Sequence, residues 1–89
     1  MNSHTTGQSR GLFAALPRYV QHQAREAYRA FRENLGHPAL HFKQVHHDPP
    51  IYSARVGISY RAVGVLDGDT ITWFWIGSHA DYDKLLEQL

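Results

Sequence analysis

The clearest pattern in the chain lies between Arg18 and Leu35. Val20, Ala24, Ala27, Tyr28, Phe31 and Leu35 recur there at helical spacing, while Arg25, Arg29, Arg32 and Glu33 take the other faces. The spacing predicts an amphipathic helix of about five turns, stopped by Asn34, Gly36 and Pro38. Ahead of it, Leu12, Phe13 and Leu16 mark a short helix ended by Pro17, which also tolerates the first turn of the next one. Residues 1–9, MNSHTTGQS, read as a flexible tail, leaving 10–89 as one domain.

After Pro38 the period changes. Leu40, Phe42 and Val45 alternate with His41, Lys43 and Gln44 and predict a first strand. The run His46-His47-Asp48-Pro49-Pro50 must be a loop, because two successive prolines cannot donate to a ladder. Ile51–Val56, Tyr60–Leu66 and Thr70–Ile76 are rich in β-branched and aromatic residues and predict three more strands. Asp67-Gly68-Asp69 is a tight hairpin turn. In the last strand Ile71, Trp73 and Trp75 should face one way and Thr72, Phe74 and Ile76 the other, with Gly77-Ser78 ending it. Both faces are apolar, so this strand should be central and covered twice. Asp81–Leu89 closes the chain as a helix with Tyr82, Leu85, Leu86 and Leu89 inward. The sum is an α+β domain: an N-terminal helical pair, an antiparallel meander of three to four strands and a short C-terminal helix.

Composition narrows what such a domain does. With 89 residues the core is thin. The absence of cysteine excludes a disulfide scaffold and thiol chemistry. No apolar run approaches the roughly 18–20 residues of a membrane span, and the first residues lack the apolar core of a signal peptide, so no membrane partner and a cytoplasmic setting are expected. The net charge of +1 conceals an asymmetry: residues 1–66 carry a balance of +5 and residues 67–89 one of −4. Seven of the nine basic side chains are arginine, whose planar fork suits phosphate and carboxylate, so the basic part leans toward an anionic partner. No two histidines sit at i,i+4 beside a carboxylate, and closed zinc sites usually want cysteine, so neither metal nor other cofactor is expected.

The order Tyr52–x–x–Arg55, Tyr60-Arg61, the acidic turn Asp67-Gly68-Asp69, the apolar strand Trp73–Ile76 and Gly77–x–His79–x–x–Tyr82 resembles the signature half of the RelE/ParE toxin superfamily. With the helical LPRYVQHQAREAYRAF before it, the likeness spans about residues 12–89. The resemblance implies a RelE-like fold and the toxin of a bacterial toxin–antitoxin pair. Its partners would be a cognate antitoxin and the ribosome with its mRNA. One departure stands out: the family opens with a β-strand, whereas Asn2, Ser3, Thr5, Thr6 and Gly7 are poor strand formers. A smaller sheet, or one with an open edge, is expected from this.

Metal-free RNA cleavage sends the ribose 2′-hydroxyl onto the adjacent phosphorus and expels the 5′-oxygen. It asks for a base, cations on the phosphate and an acid. Arg61 is the position best matched to the family's catalytic arginine; the alternative is a surface ion pair with a nearby acid. Arg55 on the neighbouring strand is either a second phosphate ligand or part of a solvated strand face. His79 has the chemistry to hold or release a proton near neutrality, or it simply opens the last helix. Tyr82, one helical turn later, either stacks on a base or belongs to the core. Lys43 matches a basic family position on the first post-helix strand. Tyr60 and the loop residues His46 and His47 are further RNA-contact candidates, whereas Trp73 and Trp75 are better read as core. His22, His37 and His41 read as surface residues, and the helix arginines as a solvated face. Two other functions stay open beside the ribosome-dependent endonuclease: a ParE-like inhibitor of DNA gyrase, and a binding module that keeps the fold without toxicity.

Overall fold

The computed structural model describes residues 1–89. Along the chain run β1 (Asn2–Thr5), α1 (Gly7–Ala14), α2 (Arg18–Glu33), a single 3₁₀ turn (Pro38–Leu40), β2 (Lys43–His46), β3 (Ile51–Val56), β4 (Tyr60–Asp67), β5 (Thr70–Ser78) and α3 (His79–Glu87). One sheet takes all five strands in the order β1-β5-β4-β3-β2. Strands β2 to β5 form the expected antiparallel meander, and β1 lies parallel to β5.

That first strand corrects two expectations. Asn2–Thr5 is not a tail, and the sheet has five strands rather than three or four. Asn2 N–H donates to the Asp69 carbonyl at 2.8 Å, Thr6 N–H to the Trp73 carbonyl at 3.0 Å, and the Tyr28 hydroxyl meets Ser3 Oγ at 2.9 Å. Thr6 then caps α1, its Oγ1 accepting from Ser9 N–H, so the helix starts at Gly7. Strand propensity misses this segment because an edge strand mostly in water needs no apolar side chains; the unpaired groups of β5 provide the reason to extend.

Alternation along β3 sorts the two faces. Tyr52, Ala54 and Val56 point to the side covered by α1 and α2. There Phe31, Leu40, Ala54, Ile71 and Trp73 form one buried cluster, and Val20, Val56 and Ile76 a second. Ile51 and Ser53 point the other way, where Ile51, Val63 and Tyr82 are buried under α3 together with Leu85 and Leu86. Small residues of α2 (Ala24, Ala27, Ala30) let it approach the sheet.

Two boundaries and the phase of one strand differ from expectation. Leu40 ends the 3₁₀ turn, buried, and His41 takes a left-handed φ of 44°, so β2 begins only at Lys43. Ser78 caps α3 by accepting from Asp81 N–H at 3.2 Å, which starts that helix at His79. In β5 the two tryptophans do not share a face. Val63 pairs with Trp75 and Gly64 with Trp73, leaving Phe74 as an extra, bulged residue. The phase flips there: Trp73 joins the α2 side, while Phe74 and Trp75 pack beside Tyr82 under α3. No helix is long and apolar enough to cross a membrane.

Candidate anion-binding site

Arg55, Arg61 and Gly77 form one row across β3, β4 and β5, each directly opposite the next. Arg61 stands on the α3 face. Its guanidinium carbon lies 5.5 Å from the centre of the Tyr82 ring, a cation–π contact. Across from it Gly77 has no side chain, and the space is taken by the Trp75 indole: a Cβ there would come within 2.7 Å of that ring. Tyr82 is 3% exposed and donates its hydroxyl to buried Ser53 Oγ at 3.1 Å, so it is a fixed floor under the arginine and its ring is closed to an incoming base.

His79 comes to the same floor from the other side. Its ring centre is 5.7 Å from that of Tyr82, and its backbone N–H donates to the Ser59 carbonyl at 2.8 Å, tying the start of α3 to the β3–β4 turn. The imidazole is more than half exposed, with Nε2 3.6 Å from Asp83 Oδ1. Arg61 and His79 thus both meet the ring of Tyr82, the first as a cation and the second with its imidazole open to solvent.

The cation has no counter-ion. The two ion pairs of the chain, His22–Glu26 and His79–Asp83, both use histidine, so no lysine or arginine is paired with a carboxylate. Arg61 Nη1 is buried without any hydrogen-bond partner. A buried charged donor left unmet is costly, and with no carboxylate paired to it the cation is free to take an anion on the rest of its guanidinium. The surface ion pair entertained for Arg61 is absent.

The other sequence candidates are not gathered here. Arg55 faces Arg61 in register, yet its Nε donates to the Gly57 carbonyl at 2.8 Å and its Nη1 lies 3.3 Å from His41 Nε2, which draws the guanidinium off the row. Lys43 is exposed on β2 opposite Ser53, so it shares the face but stands two positions along the strands. Tyr60 packs half-buried against Val20, Val56 and Ile76 on the helical-pair side of the sheet. His47 is exposed in the turn before Ile51, at the far end of β3, about 13 Å from the Arg55 row by strand rise. His46 ends β2, its Nδ1 3.0 Å from the Pro49 carbonyl. Ser53, Trp75 and His41 were not legible as site-forming residues. Each acts through a partner 14 or more residues away or through a bulge, and nothing local marks it.

No three His, Asp or Glu side chains are grouped so as to hold a metal ion. The sequence matches the ParE-like toxin domain over residues 18–84, three quarters of its length. The chain belongs to the ParE-like toxin family. Its fold is that of the wider RelE/ParE superfamily. A chain of the RelB–RelE antitoxin–toxin complex from Methanococcus jannaschii superposes with a TM-score of 0.72 at 16% identity, covering 92% of this chain and 96% of that one. YafQ from E. coli strain BL21(DE3) gives 0.71 at 13% identity, with 91% and 96% covered. The YoeB/ParE toxin from Agrobacterium tumefaciens gives 0.69 at 13% identity, with 89% and 99% covered. No curated protein matches this ParE-like chain by sequence.

Proposed function

We propose that this ParE-like chain is the toxin of a toxin–antitoxin pair and a metal-independent endoribonuclease acting on ribosome-bound mRNA in the cytoplasm. The observation that carries the reading is Arg61: a guanidinium set on Tyr82 with no carboxylate paired to it, beside an accessible imidazole. A phosphodiester seated there receives charge-assisted bonds from Arg61 as charge grows on phosphorus. The 2′-hydroxyl passes its proton to solvent as its oxygen forms the bond to phosphorus, the bond to the 5′-oxygen breaks, and His79 supplies the proton that the leaving oxygen needs. The products are a 2′,3′-cyclic phosphate and a free 5′-hydroxyl. An antitoxin partner is supported by the likeness to a chain solved in an antitoxin–toxin complex. Arg61, paired with no carboxylate of its own chain, suits an acidic side chain of such a partner.

The match to the ParE-like domain favours a second reading, inhibition of DNA gyrase without cleavage. One experiment separates the two. Purified protein is added to a reconstituted translation reaction, the message ends are mapped, and gyrase supercoiling is assayed in parallel. Cuts in register with ribosome-bound codons, lost in Arg61→Ala and His79→Ala, are expected. Intact message with blocked supercoiling overturns the nuclease in favour of the gyrase inhibitor.

A further inference from the structure

The arrangement around Arg55 is unusual for a strand residue. It is the register partner of Arg61, and opposed side chains in an antiparallel pair have Cβ atoms about 4.5–5.5 Å apart. Two like charges so placed repel, and no carboxylate is paired with either. Instead Arg55 is tied back by two acceptors, the Gly57 carbonyl and His41 Nε2. Both come from residues in left-handed backbone, Gly57 at φ 59° and His41 at φ 44°. For a residue with a Cβ that conformation is uncommon and is kept only where the surroundings fix it.

We propose that His41 is a positioning residue: with its imidazole neutral it holds Arg55 away from Arg61, and it lets Arg55 return as a second phosphate ligand when an anion binds Arg61 or when His41 is protonated. The contact requires His41 Nε2 to accept, so it exists only with neutral imidazole; a protonated ring has donors at both nitrogens and repels the guanidinium. An anion between the two arginines reverses the sign of their interaction, because each then bonds to the same phosphate. Freed of its tethers, Arg55 belongs by strand alternation on the Arg61 face.

Other charged groups bear on Arg55 too. Glu26 of α2 and His37 line the same cavity as Arg55, with Glu26 paired to His22 at 3.2 Å. Arg61 stands opposite on β4, and Lys43 projects from β2 two positions along. A charged His37 would push Arg55 the same way as a charged His41. The two histidines are therefore tested separately.

This inference rests on the anion site of the proposed nuclease, and the experiment has one arm for each. In the free protein, solvent exchange of the Arg55 Nη1–H that meets His41 is followed by NMR from about pH 8 to about pH 5.5, with the Nε–H bonded to Gly57 as the internal reference. Protection at the upper end that is lost at the lower end is expected. His41→Asn, which tolerates the left-handed backbone but has no imidazole, should lose protection throughout, and His37→Asn should behave as wild type. Binding of a short, uncleavable 2′-O-methylated RNA strand is then measured by anisotropy. At the upper pH His41→Asn should bind on the order of fivefold tighter than wild type, with a steeper salt dependence from one added phosphate contact. Arg55→Ala should erase that gain in the His41→Asn background. Protection of Arg55 that does not change with pH, or equal RNA affinity in wild type and His41→Asn, overturns the proposal. RNA affinity indifferent to Arg61→Ala overturns the anion site itself, a result the exchange arm reads independently.

Discussion

The guanidinium of Arg61 lies across the ring of Tyr82, and Tyr82 is held from beneath by Ser53. A mobile surface arginine would spend part of any phosphate affinity on ordering its side chain, whereas one clamped on an aromatic floor is ordered beforehand. Arg61→Ala should lower RNA cleavage by about 10²–10³-fold, the range for removing one preorganised charge-stabilising group. Arg61→Lys should recover little, since an ammonium lacks the fork. Single-turnover cleavage of a ribosome-bound message checks both.

His79 should be dispensable for the fold and needed for turnover. It is exposed and caps nothing with its side chain; the cap of α3 is Ser78. His79→Ala should leave the unfolding free energy from urea denaturation within about 0.5 kcal/mol of wild type while cleavage falls by about 10²–10⁴-fold, as loss of a general acid does.

At Tyr82 the ring and the hydroxyl separate. Tyr82→Phe keeps the floor and leaves Ser53 without its donor, which should destabilise by about 0.5–1.5 kcal/mol with most cleavage retained. Tyr82→Ala opens the buried cluster with Ile51 and Val63 and should cost about 3–5 kcal/mol, a large part of the stability of so small a domain. Urea denaturation of the two variants gives the comparison.

Gly64 and Gly77 test the tryptophan packing. A Cβ on Gly64 meets Trp73, Ile71 and the Thr72 carbonyl at 2.9–3.0 Å, so Gly64→Ala should destabilise by about 1–3 kcal/mol through overpacking. Gly77→Ala instead displaces the Trp75 indole opposite Arg61, and should reduce cleavage more than its effect on the urea midpoint explains.

Deleting residues 1–5 should lower the urea midpoint and promote association. It removes β1, the Tyr28–Ser3 bond and the cover of the β5 edge. Size-exclusion chromatography at rising concentration reads the association.

How much of this was legible depended on whether the signal was local. The α2 stripe, the Asp67-Gly68-Asp69 turn and three long strands stand in the sequence because helical period and alternation act between near neighbours. The bulge did not, because Trp73-Phe74-Trp75 is apolar at every position and carries no phase. β1 did not, because its pairing comes from an edge supplied by a distant segment rather than from its own side chains. In the site, Arg61 and His79 were legible as chemistry, but their meeting over Tyr82 and the withdrawal of Arg55 to His41 are products of tertiary packing.

The parallel pairing of β1 with β5 also fixes an order of events. Asn2 is made well before its register partner Thr70. Until then the leading strand has nothing to pair with, and the largest loop closure in the molecule falls at the end of the process. Chain growth itself therefore delays completion of the sheet until β5 has been made.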